Sequence, residues 1–125
     1  MKKQYWALAM IAVAMVACGQ QSGQNQAQAK PLKDNSSNPD YQKGIELVAK
    51  NDCLSCHKIE DKMLGPSYRQ VANKYENNEA NIKMLANKVI QGGQGVWGPV
   101  PMTAHPQLSE ADAQQMIKYI FLLKN

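Results

Sequence analysis

Across residues 40–123 the apolar positions recur at helical spacing in four separate segments, and no run alternates as a half-buried strand would. Residues 40–50 carry Tyr41, Ile45 and Val48 on one face, with Asp40 placed to cap the start. Residues 66–74 open with Pro66 at a first-turn position, where a missing N–H is tolerated, and present Tyr68, Val71 and Ala72. Residues 79–91 show Ile82, Leu85, Ala86, Val89 and Ile90, then stop at Gly92-Gly93. Residues 109–123 begin Ser109-Glu110-Ala111-Asp112, a variant capping box with Asp in the place of Glu, and carry Ala113, Met116, Ile117, Ile120 and Leu123. Between the last two segments, residues 92–106 are punctuated by Gly and Pro and read as a loop. The pattern predicts a small all-α domain.

The first part of the chain has a different pattern. Lys2 and Lys3 precede an almost uncharged apolar run over residues 5–17. That run is too short to span a bilayer core of roughly 30 Å, but it suits the apolar region of a secretory leader. It ends in Met15-Val16-Ala17-Cys18 followed by Gly19, which resembles the lipobox of bacterial lipoproteins, with Met15 where Leu is usual. The expectation is a leader over residues 1–17 and a lipid on Cys18, the new N-terminus. The alternative is an ordinary leader cleaved after Ala29, which would discard Cys18. Residues 19–39 are dominated by Gln, Asn, Ser, Gly and Pro, with Leu32 the sole large apolar side chain. Such a stretch cannot bury enough surface to offset its ordering entropy. Residues 18–39 therefore read as lipidated Cys plus flexible tether, and residues 40–125 as the folded domain.

Composition narrows the function. A chain of 125 residues holds one domain, which excludes a large multidomain enzyme. The formal charge is +4, but from Asp40 onward ten basic residues face nine acidic ones. No concentrated basic face of the kind that binds nucleic acid is left. An 86-residue domain with a single Phe makes a marginal core, so a bound cofactor would help to explain its stability.

Three cysteines leave one over from any pairing. Cys18 belongs to the leader, and Cys53 and Cys56 form a local pair within Cys53-Leu54-Ser55-Cys56-His57. Cys-x-x-Cys-His is the attachment signature of c-type haem. Thiols three residues apart on one turn can each form a thioether with one of the two vinyl groups, and the adjacent His57 can reach the iron as proximal ligand. A zinc site would need a second ligand pair, and none is present. A redox disulfide would expect a βαβ context, which the helical pattern lacks.

If the iron carries electrons, its sixth position needs a second ligand. Met63, Met84, Met102, Met116 and His105 are the candidates. Met84 and Met116 lie in helical segments, where Met usually fills a core. Met63 stands only six residues past His57, too close to cross to the other haem face. Met102, in the Gly/Pro loop beside Pro101, is the expected ligand, with His105 next and an open site the third possibility.

These residues carry a resemblance. Gly44, the haem motif, Leu64-Gly65-Pro66-Ser67-Tyr68, Gly95-Val96-Trp97-Gly98-Pro99-Val100-Pro101-Met102 and the amphipathic last helix together resemble a class I cytochrome c of the short bacterial monohaem type. The resemblance implies a bundle of three to five helices around one covalent haem c, with first and last helices crossing near Gly44 and Tyr119. It implies that the Pro66 carbonyl accepts the Nδ1 proton of His57, and that Trp97 and a basic residue, here Lys88, contact a haem propionate. His105 falls where relatives often carry an Asn near the ligand sulfur.

The function implied is a non-enzymatic electron carrier, tethered to the membrane through Cys18 at the periplasmic face of the cell envelope. Gly19 lacks the Asp of inner-membrane retention, which favours the outer membrane in a Gram-negative host. Its partners would be redox proteins (a reductase, oxidase or dehydrogenase), with no nucleic acid and no small-molecule substrate. They would dock at a haem edge framed by Cys53, Met63 and residues 96–102, with Lys50, Lys58, Lys62 and Lys88 as a local basic patch. The alternatives are a haem acceptor subunit of a dehydrogenase and a haem sensor or peroxidase with a labile sixth ligand.

Overall fold

The computed structural model describes residues 33–124; the leader, Cys18 and most of the expected tether lie outside them. The described chain forms α1 (Pro39–Lys50), a 3-10 turn (Cys53–Ser55), α2 (Tyr68–Lys74), α3 (Glu79–Gln91) and α4 (Glu110–Phe121). Among the described residues there is no strand, only one isolated antiparallel bridge between Gly93 and Met102. The all-α expectation holds.

Three helix starts differ from the sequence reading, each for a reason of capping. α1 begins one residue early, because Asn38 rather than Asp40 is the cap: its side-chain oxygen accepts from the Asp40 N–H at 2.8 Å, and Pro39 fills the first helical position. α2 begins at Tyr68, not Pro66. The buried Ser67 caps it reciprocally with Gln70, whose N–H donates to Ser67 Oγ at 3.1 Å while Gln70 Oε1 accepts from the Ser67 N–H at 2.9 Å. α4 starts after Ser109, and its capping box is incomplete. Asp112 donates its N–H to Ser109 Oγ (3.1 Å), but its carboxylate accepts the Ser109 hydroxyl (2.8 Å). Asp is one methylene shorter than the Glu of the full motif, which reaches the cap's own N–H.

α4 packs against α1, α2 and α3. It buries Ala113, Met116, Ile117, Tyr119, Ile120 and Phe121, and Leu123 follows them into the core. At about 1.5–3 kcal/mol for each large apolar side chain taken from water, this helix is the main contributor to the fold. α1 crosses it at Gly44. A Cβ on Gly44 would overlap Tyr119 Cβ and sit 2.9 Å from the Gln115 carbonyl, so only glycine permits this approach. The predicted crossing is present. Tyr119 then stacks edge-on with Tyr41 at 5.1 Å and with Tyr68 at 6.4 Å.

The segment after the 3-10 turn is pinned to the start of α2. The Tyr68 and Arg69 N–H groups, left over at a helix start, donate to the Lys58 and Ile59 carbonyls at 2.9 and 3.1 Å. The Arg69 guanidinium forks onto Glu60 and reaches the Leu123 carbonyl at 3.3 Å. Glu60 is held below the usual carboxylate range by that hydrogen bonding. These contacts fix His57 relative to α2 and α4. No helix among the described residues is long and apolar enough to cross a membrane.

Candidate functional site

Asp52 adopts the left-handed conformation (φ 54°) and its carbonyl accepts from the Ser55 N–H and hydroxyl at 3.0 and 2.7 Å. The chain thus enters a 3-10 turn, where residues three apart eclipse one another. Cys53 and Cys56 are such a pair. Both are free thiols, and both line one cavity of about 500 Å³. The Cys53 carbonyl accepts from the Cys56 and His57 N–H groups at 3.3 and 3.0 Å, which turns His57 toward the same cavity. Burial pushes the Cys53 thiol above its ordinary pKa, so it rests protonated.

His57 is oriented from two sides. Its Nδ1–H donates to the Pro66 carbonyl at 2.7 Å, which leaves Nε2 as the donor atom for a ligand bond. Pro66 is able to offer that carbonyl because the helix starts after it. The ring also stacks on Tyr68, centroids 5.5 Å apart and planes within 18°. Gly65 completes the cradle: a Cβ there would lie 2.8 Å from Nδ1 and 2.9 Å from Nε2.

The loop after α3 supplies the rest of the wall. Gly93 and Met102 exchange backbone hydrogen bonds of 3.2 and 2.8 Å. Gly92 makes this possible twice over. Its φ of 75° suits glycine, and a Cβ would stand 2.6 Å from the Met102 carbonyl. Met102 is half-buried and lines the cavity. Met63 and Met84 are exposed and do not line it, and Met116 is buried in the α4 core. His105 does line the cavity, with its N–H held by the Val89 and Ile90 carbonyls, both at 3.1 Å.

Lys88 and Trp97 share the same wall. Sequence reasoning did not anticipate Lys74, whose Nζ lies 5.2 Å from the Trp97 ring centroid. It also passed over the part played by Tyr68. The hydrophobic pattern assigned that residue to the core, and no local signal marks it as a neighbour of His57. The remaining lining is mainly apolar, with Val71, Leu85, Val89, Ile117 and Ile120 beside a few polar residues such as Gln94 and Thr103.

The donor set tests what such a cavity suits. Among the described residues no three His, Cys, Asp or Glu side chains gather closely enough to hold a bare metal ion. Two free thiols one turn apart, an imidazole with Nε2 available and a thioether instead share one large apolar cavity. That is the chemistry of a flat, vinyl-bearing metal macrocycle, and the residues present fit haem c.

Comparison with known proteins agrees. The family model described as cytochrome c matches residues 41–124. Cytochrome c-552 of Nitrosomonas europaea is 37% identical over 83 residues, covering 66% of this chain and 81% of that protein. Cytochrome c-551 of Pseudomonas aeruginosa is 39% identical over 80 residues, covering 63% and 76%. The crystal structure of wild-type Nitrosomonas europaea cytochrome c552 superposes with a TM-score of 0.60 at 38% identity, covering 64% of this chain and 99% of that one. With cavity, motif and family match in agreement, the chain belongs to the cytochrome c family as a class I monohaem electron carrier holding one covalent haem c.

Proposed function

We propose that this protein is a lipid-tethered cytochrome c that passes single electrons between respiratory redox proteins at the periplasmic face of the cell envelope. The observation that carries the assignment of its site is that Met102, alone of the four candidate methionines, lines the cavity with Cys53, Cys56 and His57. Cys53 and Cys56 would hold the haem by thioethers, His57 Nε2 and Met102 Sδ would ligate its iron, and Lys88 and Trp97 would contact a propionate. When bound, the haem supplies a one-electron iron couple.

The chain's own residues do the rest. The Pro66 carbonyl holds the imidazole by its Nδ1 proton and strengthens its donation. The thioether of Met102 favours ferrous iron more than a second imidazole would, which sets a high potential. Leu64, Val96 and Val100 line the cavity yet are 61%, 48% and 55% exposed. They form an apolar rim suited to brief encounters with a partner protein, and near-neutral charge keeps long-range steering weak. Attachment through Cys18 raises the local concentration near membrane partners, with two or more acyl chains giving stable anchoring.

Met102→Ala tests the site: the reduction potential should fall and the low-spin spectrum be lost. An unchanged potential and spectrum would assign the position to another group, His105 first. Cys18→Ser tests the tether: the protein should move from the membrane to the soluble fraction with its haem spectrum intact.

A further inference from the structure

One polar atom beside the site is unaccounted for. The Tyr68 hydroxyl is buried, in a side chain only 4% exposed, and it meets no hydrogen-bond partner. A buried hydroxyl without a partner loses its hydration and gains nothing, so Phe would serve better if packing were its whole task. The residue lines the haem cavity and its ring lies parallel to His57. Its neighbour Cys53 brings a sulfur to the same cavity and packs against the buried cluster that holds Tyr68. A phenol carries an O–H that can donate.

The acceptor the hydroxyl needs is the same sulfur. As a free thiol, Cys53 is itself a donor, pointed at the Asn51 carbonyl at 3.3 Å. A thioether sulfur has no proton and can only accept. We propose that Tyr68 is a positioning residue for the haem site: its ring fixes the rotation of His57, and its hydroxyl donates to the Cys53 sulfur once that sulfur is a thioether. This rests on the thioether reading of Cys53. The donor draws electron density from the sulfur and favours the reduced state, while the stacked ring opposes rotation of the imidazole about its ligand bond.

Tyr68→Phe in the full-length holoprotein keeps the ring and removes only the hydroxyl. Its equilibrium with a one-electron reference couple should shift toward the oxidised form by about threefold or more, a fraction of one hydrogen bond. The urea midpoint of the holoprotein should fall. Tyr68→Leu removes the ring as well and should further shift the paramagnetic proton resonances of His57 in the ferric protein. In the ferrous wild type, a slowly exchanging Tyr68 hydroxyl proton with a dipolar contact to the Cys53 methylene should be visible by NMR, independently of any variant.

An unchanged equilibrium in Tyr68→Phe with an equal or higher urea midpoint would overturn the proposal. So would a lower midpoint with no redox shift, which marks a purely structural role, or rapid exchange of the hydroxyl proton in the wild type. Mass spectrometry of the wild type separates the two readings. Haem that extracts freely defeats the thioether reading, whereas covalent haem with no Tyr68 effect defeats only this one.

Discussion

α4 touches two very different surroundings. On the side of α1, Gly44 and Tyr119 bring two regular helices into contact, and Tyr41, Val48 and Tyr119 complete a core from the chain's own side chains. On the other side Ile117 and Ile120 line the haem cavity, faced by a loop in which Gly92, Gly93, Gly95 and Gly98 all take positive φ. That loop is tied by the Gly93–Met102 bridge, the Gly95-to-Gly98 turn and the His105 N–H. One half supplies its own interior, and the other forms a wall around an interior that arrives with the cofactor. In the first half a change in packing should alter stability without altering the redox site. In the second, stability and redox chemistry are one problem.

The largest effect should come from removing the cofactor. Cys53→Ser combined with Cys56→Ser should cost more than about 4 kcal/mol, since a tightly held group adds its binding energy to folding. Amide exchange should show protection lost first across residues 92–106 and last in α1 and α4. Equal loss in both halves would break the distinction.

Next is the helix crossing. Gly44→Val forces side-chain atoms into Tyr119 and the Gln115 carbonyl, and should cost about 3 kcal/mol or more in urea unfolding. The reduction potential should hardly move, because the strain falls on the self-sufficient side.

Arg69 joins the halves, and its removal should cost less. Arg69→Ala loses the fork onto Glu60 and the bond to the Leu123 carbonyl, about 1–3 kcal/mol. Part of that loss depends on pH. Glu60 is held below its ordinary pKa in the folded protein, so the unfolded chain binds its proton first as pH falls. The contribution is complete above the unfolded carboxylate pKa of about 4.3 and disappears as pH drops through the lower folded value. Because the Glu60 side chain is 43% exposed, the amplitude should be under about 1 kcal/mol. Urea midpoints compared between about pH 6 and pH 3 should fall less in Glu60→Gln than in the wild type.

The smallest effect should be Lys74→Gln. Its ammonium over Trp97 is worth about 0.5 kcal/mol at an exposed site. A thermal scan should detect a slight loss, with the Trp97 fluorescence altered if the ring shifts.

The division between what could be read and what could not follows the same line. α3 is found where its apolar spacing and Gly92 place it, because period and stop signal are local properties. The start of α2 was misplaced at Pro66. Proline at a first turn is a common signal, but Ser67 and Gln70 cap each other more completely. Cys53, Cys56 and His57 stood out because thioether attachment needs a fixed short spacing that the turn itself provides. Lys74 and Tyr68 did not, since their contacts with Trp97 and His57 join elements whose relative placement no local pattern encodes.

The amino-acid sequence by itself determined the helical segments and the haem motif, since each depends on spacing within a few residues or on a recurring pattern of them, whereas the crossing at Gly44 was implied only by the family resemblance. Met102 was expected from its loop position and the Pro66 carbonyl from the resemblance, but it is the tertiary structure that brings the one to the cavity and the other to His57, and it alone leaves the Tyr68 hydroxyl without a partner. Those choices depend on distances between segments far apart in the chain, set by how α4 packs against α1, α2 and α3 and by the close approach that Gly92 allows.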